Sequence, residues 1–282
     1  MDWFTLALIS MVSLSLANIF QRVLMKDNNS DPFAYGIVFQ FLAAIFIGIF
    51  AVINGFVMPP LKEVGIYLLF TGILYAGFVL FILKAYQTSQ ASEVTLVMTS
   101  RVIWTVLGAV LLLGETLTIT KLIGISIIIG AIIFVFYEGK KIKYSKGIQY
   151  ALLAAACFGL GFVNDAFILQ KAEAISYTAI AFALPGIMLL LYKPSAILKL
   201  KAFANMKLLG KMMLLSIFQS TAALTIYFAY QKGGDASQLG PMGLSVVILT
   251  IILAAIFLGE RNNVIKKVIA AILVMIGVYL LR

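Results

Sequence analysis

Arg101 lies ten residues into an apolar run that covers residues 91–113. A charge near the middle of a membrane helix costs at least about 2.5–3.5 kcal/mol to insert. From that depth a side chain does not easily snorkel to either interface. Two roles would offset the cost. In one, the guanidinium faces an internal cavity and holds an anionic group of a solute through its two-pronged donors. In the other, it closes an internal ion pair or caps a carbonyl, and only fixes helix packing. Met98, Trp104 and Thr105 stand three or four residues away on the same helical face, so Trp104 joins Arg101 as a candidate solute contact.

Other polar residues interrupt apolar runs in the same way. Asn164 and Asp165 come late in the run 147–169. Asp165 has three readings: a partner for Arg101, a proton carrier for coupled transport, or a solvated helix-end residue. Glu93, two helical turns before Arg101, reads as an interface residue rather than a coupling acid. Gln21 and Arg22 stand three and four residues after Asn18 at the end of the first run, a spacing that gives one polar face. That face lines a cavity, unless Arg22 snorkels outward. Gln40 and Gln219 are amides inside apolar runs, read either as inter-helix hydrogen-bonding groups or as solute contacts. Tyr86 and Tyr230 occupy corresponding helix ends, as part of an interfacial aromatic belt or as solute contacts. Glu115 and Glu260 close apolar runs in short turns and are expected to satisfy neighbouring helix N-termini.

The composition excludes much other chemistry. The chain has no histidine and one cysteine, Cys157. Histidine metal sites, Ser-His-Asp triads, histidine proton relays and an intramolecular disulfide are therefore ruled out. Gly233-Gly234 lacks the spacing of a phosphate loop. No cofactor or metal is expected. The net charge is +10, but its lysines sit between apolar runs and form no basic stripe, so no nucleic-acid partner is expected.

The elements that must position these residues are membrane helices. Of 282 residues, 63% are hydrophobic and 11% charged, too few charges for the surface of a soluble domain. Apolar segments cover roughly 3–24, 33–56, 64–86, 91–113, 119–137, 147–169, 174–192, 208–231, 236–258 and 264–281. Most match the twenty or so residues that a helix needs to cross the hydrocarbon layer. No run shows the alternation of a barrel strand. The first has no basic lead and no cleavage site, so it reads as a retained span. Short connections make neighbouring helices antiparallel. The longest, Lys193 to Lys207, is read either as a short amphipathic surface helix or as an irregular polar loop.

The chain repeats itself. Ala85-Tyr86-Gln87 recurs as Ala229-Tyr230-Gln231, Ala91-Ser92 as Ala236-Ser237, and Gly114-Glu115 as Gly259-Glu260. Lys121 then matches Lys266. This organisation predicts an all-α membrane protein of ten transmembrane helices, in two five-helix repeats over residues 1–138 and 139–282. Five spans are an odd number, so the second repeat enters the membrane from the opposite side. Inverted repeats around a central cavity are the architecture of secondary transporters.

At these motifs the sequence resembles the drug/metabolite transporter superfamily, in its EamA-type ten-helix members. Small residues open the fourth and ninth spans (Ala91-Ser92, Ala236-Ser237), and Gly-Glu closes them. A glycine-bearing helix follows each, with Gly124 and Gly130 in the first half and Gly277 in the second. The resemblance implies transport of small metabolites, with no catalysis, in the inner (cell) membrane of a prokaryote. Many relatives carry a proline near the middle of the fourth and ninth spans. Val102 and Val247 occupy those positions here, so solute contacts do not carry over from any one relative.

Together these features predict a secondary transporter that moves a small polar metabolite, amino acid-like or otherwise small and anionic, by alternating access. Its partners are the lipid bilayer, the solute and a coupling ion, proton or sodium. The alternatives are a non-transporting scaffold or receptor, and a membrane-embedded lipid enzyme, which the lack of histidine and the few carboxylates disfavour. Connections on one side carry most lysines, among them Lys140, Lys193, Lys199 and Lys207. The positive-inside rule puts that side in the cytoplasm and both termini outside. The resemblance implies cytoplasmic termini.

Overall fold

The computed structural model describes residues 1–26, 30–113, 116–138, 141–142, 145–232 and 236–281. The turn at Asn28-Asn29, Gly114-Glu115, Lys140, Gly233-Gly234 and Arg282 lie outside them. Helices dominate: α1 (Trp3–Met25), α2 (Pro32–Ile53), α3 (Leu61–Thr88), α4 (Ala91–Met98), α5 (Arg101–Leu113) and α6 (Ile119–Phe136) come first. Then follow α7 (Lys146–Leu169), α8 (Ala174–Tyr192), α9 (Ala196–Lys199), α10 (Met206–Gln231), α11 (Ala236–Phe257) and α12 (Val264–Tyr279). Among the described residues, eight helical segments are long and apolar enough to cross a membrane, with α4 and α5 counted as one segment. Large apolar side chains point outward, such as Leu111 at 80% exposure and Ile119 at 77%. An apolar exterior of this kind is what lipid tails cover.

Side chains just outside the helices start them. Each supplies an acceptor for backbone N–H groups that lack an intrahelical partner. Asp31 accepts from Phe33 N at 2.9 Å, directly before Pro32 at the first turn of α2. Ser145 accepts from Ile148 N at 3.2 Å before α7. Glu173 accepts from Ile175 N and Ser176 N at 2.8 and 2.7 Å before α8. Burial pushes the Asp31 carboxyl up. Its hydrogen bonds from Lys199 and Phe33, with the charge of Lys193, outweigh that and hold it below the usual range.

Two details depart from the sequence reading, and a third bears on an alternative it left open. The fourth apolar run is not one helix, since α4 ends at Met98 and α5 begins at Arg101. No proline causes the break. Thr99 Oγ1 donates to Leu96 O at 2.6 Å, and Thr99 N, Ser100 N, Val102 N and Ile103 N each reach back only three residues. A hydroxyl that competes for a helix carbonyl bends the helix where it sits. Second, Tyr137–Glu138 and Lys141–Ile142 pair as a two-residue antiparallel ladder in a connection where no strand was expected. Third, the connection after α8 combines α9 with a 3-10 turn over Leu200–Ala204. This segment buries Ala196 and Phe203 but exposes Ile197 and Leu198, so it lies on the bundle with one apolar edge outward.

Helix pairings recur across the chain. α3 packs on α7 as α10 packs on α1. α3 touches α8 as α10 touches α2. α4 and α5 pack on α7 as α11 packs on α1, while α2 meets α8 and α6 meets α12. The last contact depends on glycine. A Cβ on Gly124 would stand 2.5 Å from Gly277 O, and one on Gly277 would stand 2.9 Å from Gly124 O. Close backbone approach of this kind drives helix association where lipid tails are as apolar as the helices.

Candidate functional site

A cavity of about 590 Å³ lies inside the bundle, with walls from α1, α2, α3, α4, α5, α7, α8, α10 and α11. Arg101 reaches it from the first residue of α5, just past the helix break. Its guanidinium lies over the Phe158 ring at 4.7 Å from the centroid. Among the described residues no carboxylate stands within ion-pairing distance of it. Of the three readings of Asp165, the one that made it the partner of Arg101 is therefore corrected. Asp165 turns to two phenols, and Glu93 lines a separate polar pocket beside Arg261, Asn262, Asn263 and Lys267.

Close packing of α5 on α7 places Arg101. Thr105 Oγ1 donates to Gly159 O at 3.3 Å, and a Cβ on Gly159 would stand 2.7 Å from Trp104 Cβ. Gly159→Val should push α5 away and move the guanidinium off Phe158. Overpacking of this size costs about 1–3 kcal/mol, so thermal unfolding of the purified protein should fall by several degrees. An unchanged midpoint would show that the contact is loose.

Asp165 sits seven residues after Phe158 on the same cavity-facing side of α7. Tyr75 OH donates to Asp165 Oδ2 at 2.6 Å, and Tyr177 OH donates to Oδ1. Neither tyrosine was singled out from the sequence. Tyr75 carried a signal, because a phenol fourteen residues into a membrane helix needs a buried partner. Tyr177 stands three residues into α8, where an interfacial belt tyrosine looks the same.

The other candidates divide. Asn18, Gln21, Gln40, Gln219 and Tyr86 line the cavity. Tyr86 is 1% exposed, so it is no belt residue. Gln40 is buried, and its Oε1 has no hydrogen-bond partner among the described residues. Asn18 Nδ2 also reaches Thr250 Oγ1 at 3.4 Å. Trp104 does not line the cavity and is 38% exposed, because its ring leaves α5 on the outer side of the Gly159 contact. Asn164 is committed to α3, where it donates to Tyr67 O at 2.9 Å and Thr71 Oγ1 at 3.0 Å. The side chain of Tyr230 lies outside the described residues.

Arg22 does not snorkel. It donates to Tyr86 O at 2.5 Å and pairs with Glu260 at 3.4 Å. Glu260 follows Gly259, whose φ of +69° suits glycine at the end of α11. The Glu260 carboxylate accepts from Ala91 N at 3.0 Å and from Ser92 N and Oγ at 3.3 and 3.2 Å. This is the N-terminal partner expected of it, at the start of α4. Lys267 adds bonds to Gln90 Oε1 and Ser92 Oγ at 2.6 and 2.8 Å. The cluster joins the ends of α1, α3, α4, α11 and α12 at one face of the bundle. The cavity lining runs the other way, to Leu169 and Ala174 at the turn between α7 and α8.

The model of the EamA-like transporter family matches this chain twice, over residues 1–137 and 145–282. The chain belongs to the EamA-like transporter family. It is therefore an integral membrane protein and a membrane transporter of the drug/metabolite type, in a family of transporters and not of enzymes. A solved crystal structure of a protein is similar to the transporter with a TM-score of 0.58. The match covers 99% of this chain and 94% of that one at 16% sequence identity, which speaks for the fold alone. No curated protein matches the sequence.

Proposed function

We propose that this transporter is a secondary carrier which moves a small organic anion, amino acid-like or simpler, by alternating access through the central cavity. The observation that carries this reading is Arg101: a guanidinium on the cavity wall whose neighbour is an aromatic ring and not a carboxylate. The missing counter-ion is the solute's own anionic group. Gln40, with a buried acceptor that has no partner among the described residues, would take a donor on the same solute. Asn18, Gln21 and Gln219 complete the polar lining, and Tyr86 bounds it.

The two family matches support two repeats, which we place at residues 1–138 and 139–282. Pairing α1 with α7, α2 with α8, α3 with α10, α4–α5 with α11 and α6 with α12 turns each of the recurring contacts above into another of them or, for α2 with α8 and α6 with α12, into itself. Five spans in each half then make ten transmembrane helices, with the second half inverted. The latch at Glu260 closes one face, and the cavity lining extends toward the opposite face at Leu169 and Ala174. Exchange of solute, or an ion gradient of protons or sodium, supplies the energy.

Counterflow tests the reading. Proteoliposomes preloaded with one unlabelled small carboxylate at a time, from a broad panel, should accumulate the labelled form for at least one member. Empty liposomes should not. Absence of counterflow across carboxylates, amino acids and neutral metabolites would favour a scaffold or receptor. Orientation, which we place in a prokaryotic cell membrane, is decided by reporters fused after Arg282. Alkaline phosphatase activity there supports the lysine count and an outward-opening cavity, whereas green fluorescence supports cytoplasmic termini.

A further inference from the structure

Arg101 and Asp165 are the charged residues among those that line the cavity, and its titratable tyrosines are Tyr75, Tyr86, Tyr177 and Tyr227. Among the described residues, two groups face Asp165 at hydrogen-bond distance: Tyr75 from α3 and Tyr177 from α8. Its neighbour on α7, Asn164, points to Thr71 and Tyr67 O instead. Arg101 approaches from α5 over Phe158, and the Tyr75 ring packs edge-on against Phe158 at 5.7 Å.

The hydrogen bonds around Asp165 can run in either direction. With the carboxylate ionised, Tyr75 and Tyr177 both donate to it. Thr71 Oγ1 stands 3.1 Å from Tyr177 OH and 3.1 Å from Tyr67 O. If Asp165 Oδ1 gains a proton, it donates to Tyr177. Tyr177 then turns to Thr71, and Thr71 turns to Tyr67 O. Each hydroxyl keeps an acceptor, and no heavy atom has to move. A buried carboxyl that can switch without stranding a donor avoids the usual penalty for an unmade hydrogen bond.

Charge balance supplies the reason to switch. Without solute, the cavity holds one positive and one negative side chain among the described residues. A bound anion leaves it with one net negative charge in apolar surroundings, which is costly. One proton on Asp165 restores neutrality. Resting on the reading of Arg101 above, we propose that Asp165 binds a proton when an anionic solute binds Arg101, and that anion and proton cross together, one for one. The empty and loaded carriers are then both neutral inside, and transport is electroneutral.

Neutralising Arg101 imitates anion binding, so the coupling can be tested without knowing the solute. Seven residues of helix separate Phe158 from Asp165 by about 10 Å. Across that distance, at an effective dielectric constant of about 20, the two charges change each other's proton affinity by roughly tenfold. The readout is the protonated-carboxyl infrared band of the full chain in lipid, assigned as the part that Asp165→Asn removes. Through a pH series, the band should be larger in Arg101→Gln and Arg101→Met than in the natural protein. Arg101→Lys should behave like the natural protein. A band insensitive to the charge at position 101, or one that Asp165→Asn leaves intact, overturns the proposal. If counterflow proceeds while the band ignores position 101, the coupling fails and the transport reading stands.

Discussion

Arg101→Gln should abolish counterflow while the protein still folds and purifies from the membrane. Loss of a buried, charge-assisted contact to a carboxylate costs about 2–5 kcal/mol. That is a weakening of roughly 30-fold to several thousand-fold in solute affinity. Folding should suffer little, because among the described residues no partner carboxylate is left unpaired when the guanidinium goes. What folding loses is the contact with Phe158, about 0.5–2 kcal/mol. Lysine should restore counterflow only in part, since it keeps the charge but not the fork of donors. Solute affinity and thermal midpoint, measured on the same preparations, separate binding from structure. A stable Arg101→Gln protein with normal counterflow would remove Arg101 from the site. A protein that instead unfolds would mark Arg101 as a structural residue.

Glu260→Ala is expected to be the most destabilising single change in the latch. The donors that meet that carboxylate include Ala91 N, Ser92 N, Ser92 Oγ and the Arg22 guanidinium. Glu260 is 7% exposed, so water replaces few of these bonds. Removing one partner of a buried ion pair typically costs about 3–5 kcal/mol, because the other charge stays behind. Yield and thermal midpoint should both drop. Arg22→Ala in the same chain should then cost less than it does alone, as expected of directly coupled residues. The latch also holds one face of the bundle shut. A cysteine placed at Gln90, with Cys157 replaced by alanine, should react faster with an impermeant thiol reagent once Glu260 is changed. Equal labelling and additive stability losses would reduce Glu260 to an ordinary helix cap.

The Glu260 cap was legible because the sequence pattern is local: a glycine ends one helix, and the acid after it faces the start of another. The pairing of that acid with Arg22 was not legible, since the two lie at opposite ends of the chain. The break before Arg101 was also missed. Sequence rules look for proline or glycine at a break, whereas here Thr99 bonds back to Leu96 O and loosens the helix by itself. Tyr75 and Tyr177 escaped for a different reason. Their role depends on a carboxylate from a third helix, and no spacing along the chain encodes that meeting.

The sequence by itself determined that this is a chain of membrane-length helices, because hydrocarbon thickness sets how many apolar residues must run together. It determined the polar residues worth attention, because each costs free energy inside a membrane. It also carried the family, through repeated motifs that the family match then covered twice. Tertiary structure alone decided which polar residues meet. Membrane helices are apolar nearly all round, so their sequences carry little signal for the face that turns inward. Close contacts set that rotation: Gly159 against Trp104 aims Arg101 into the cavity and leaves the indole outside it. Across α3, α7 and α8, the same packing brings Asp165 to Tyr75 and Tyr177 and, among the described residues, leaves Arg101 without a carboxylate.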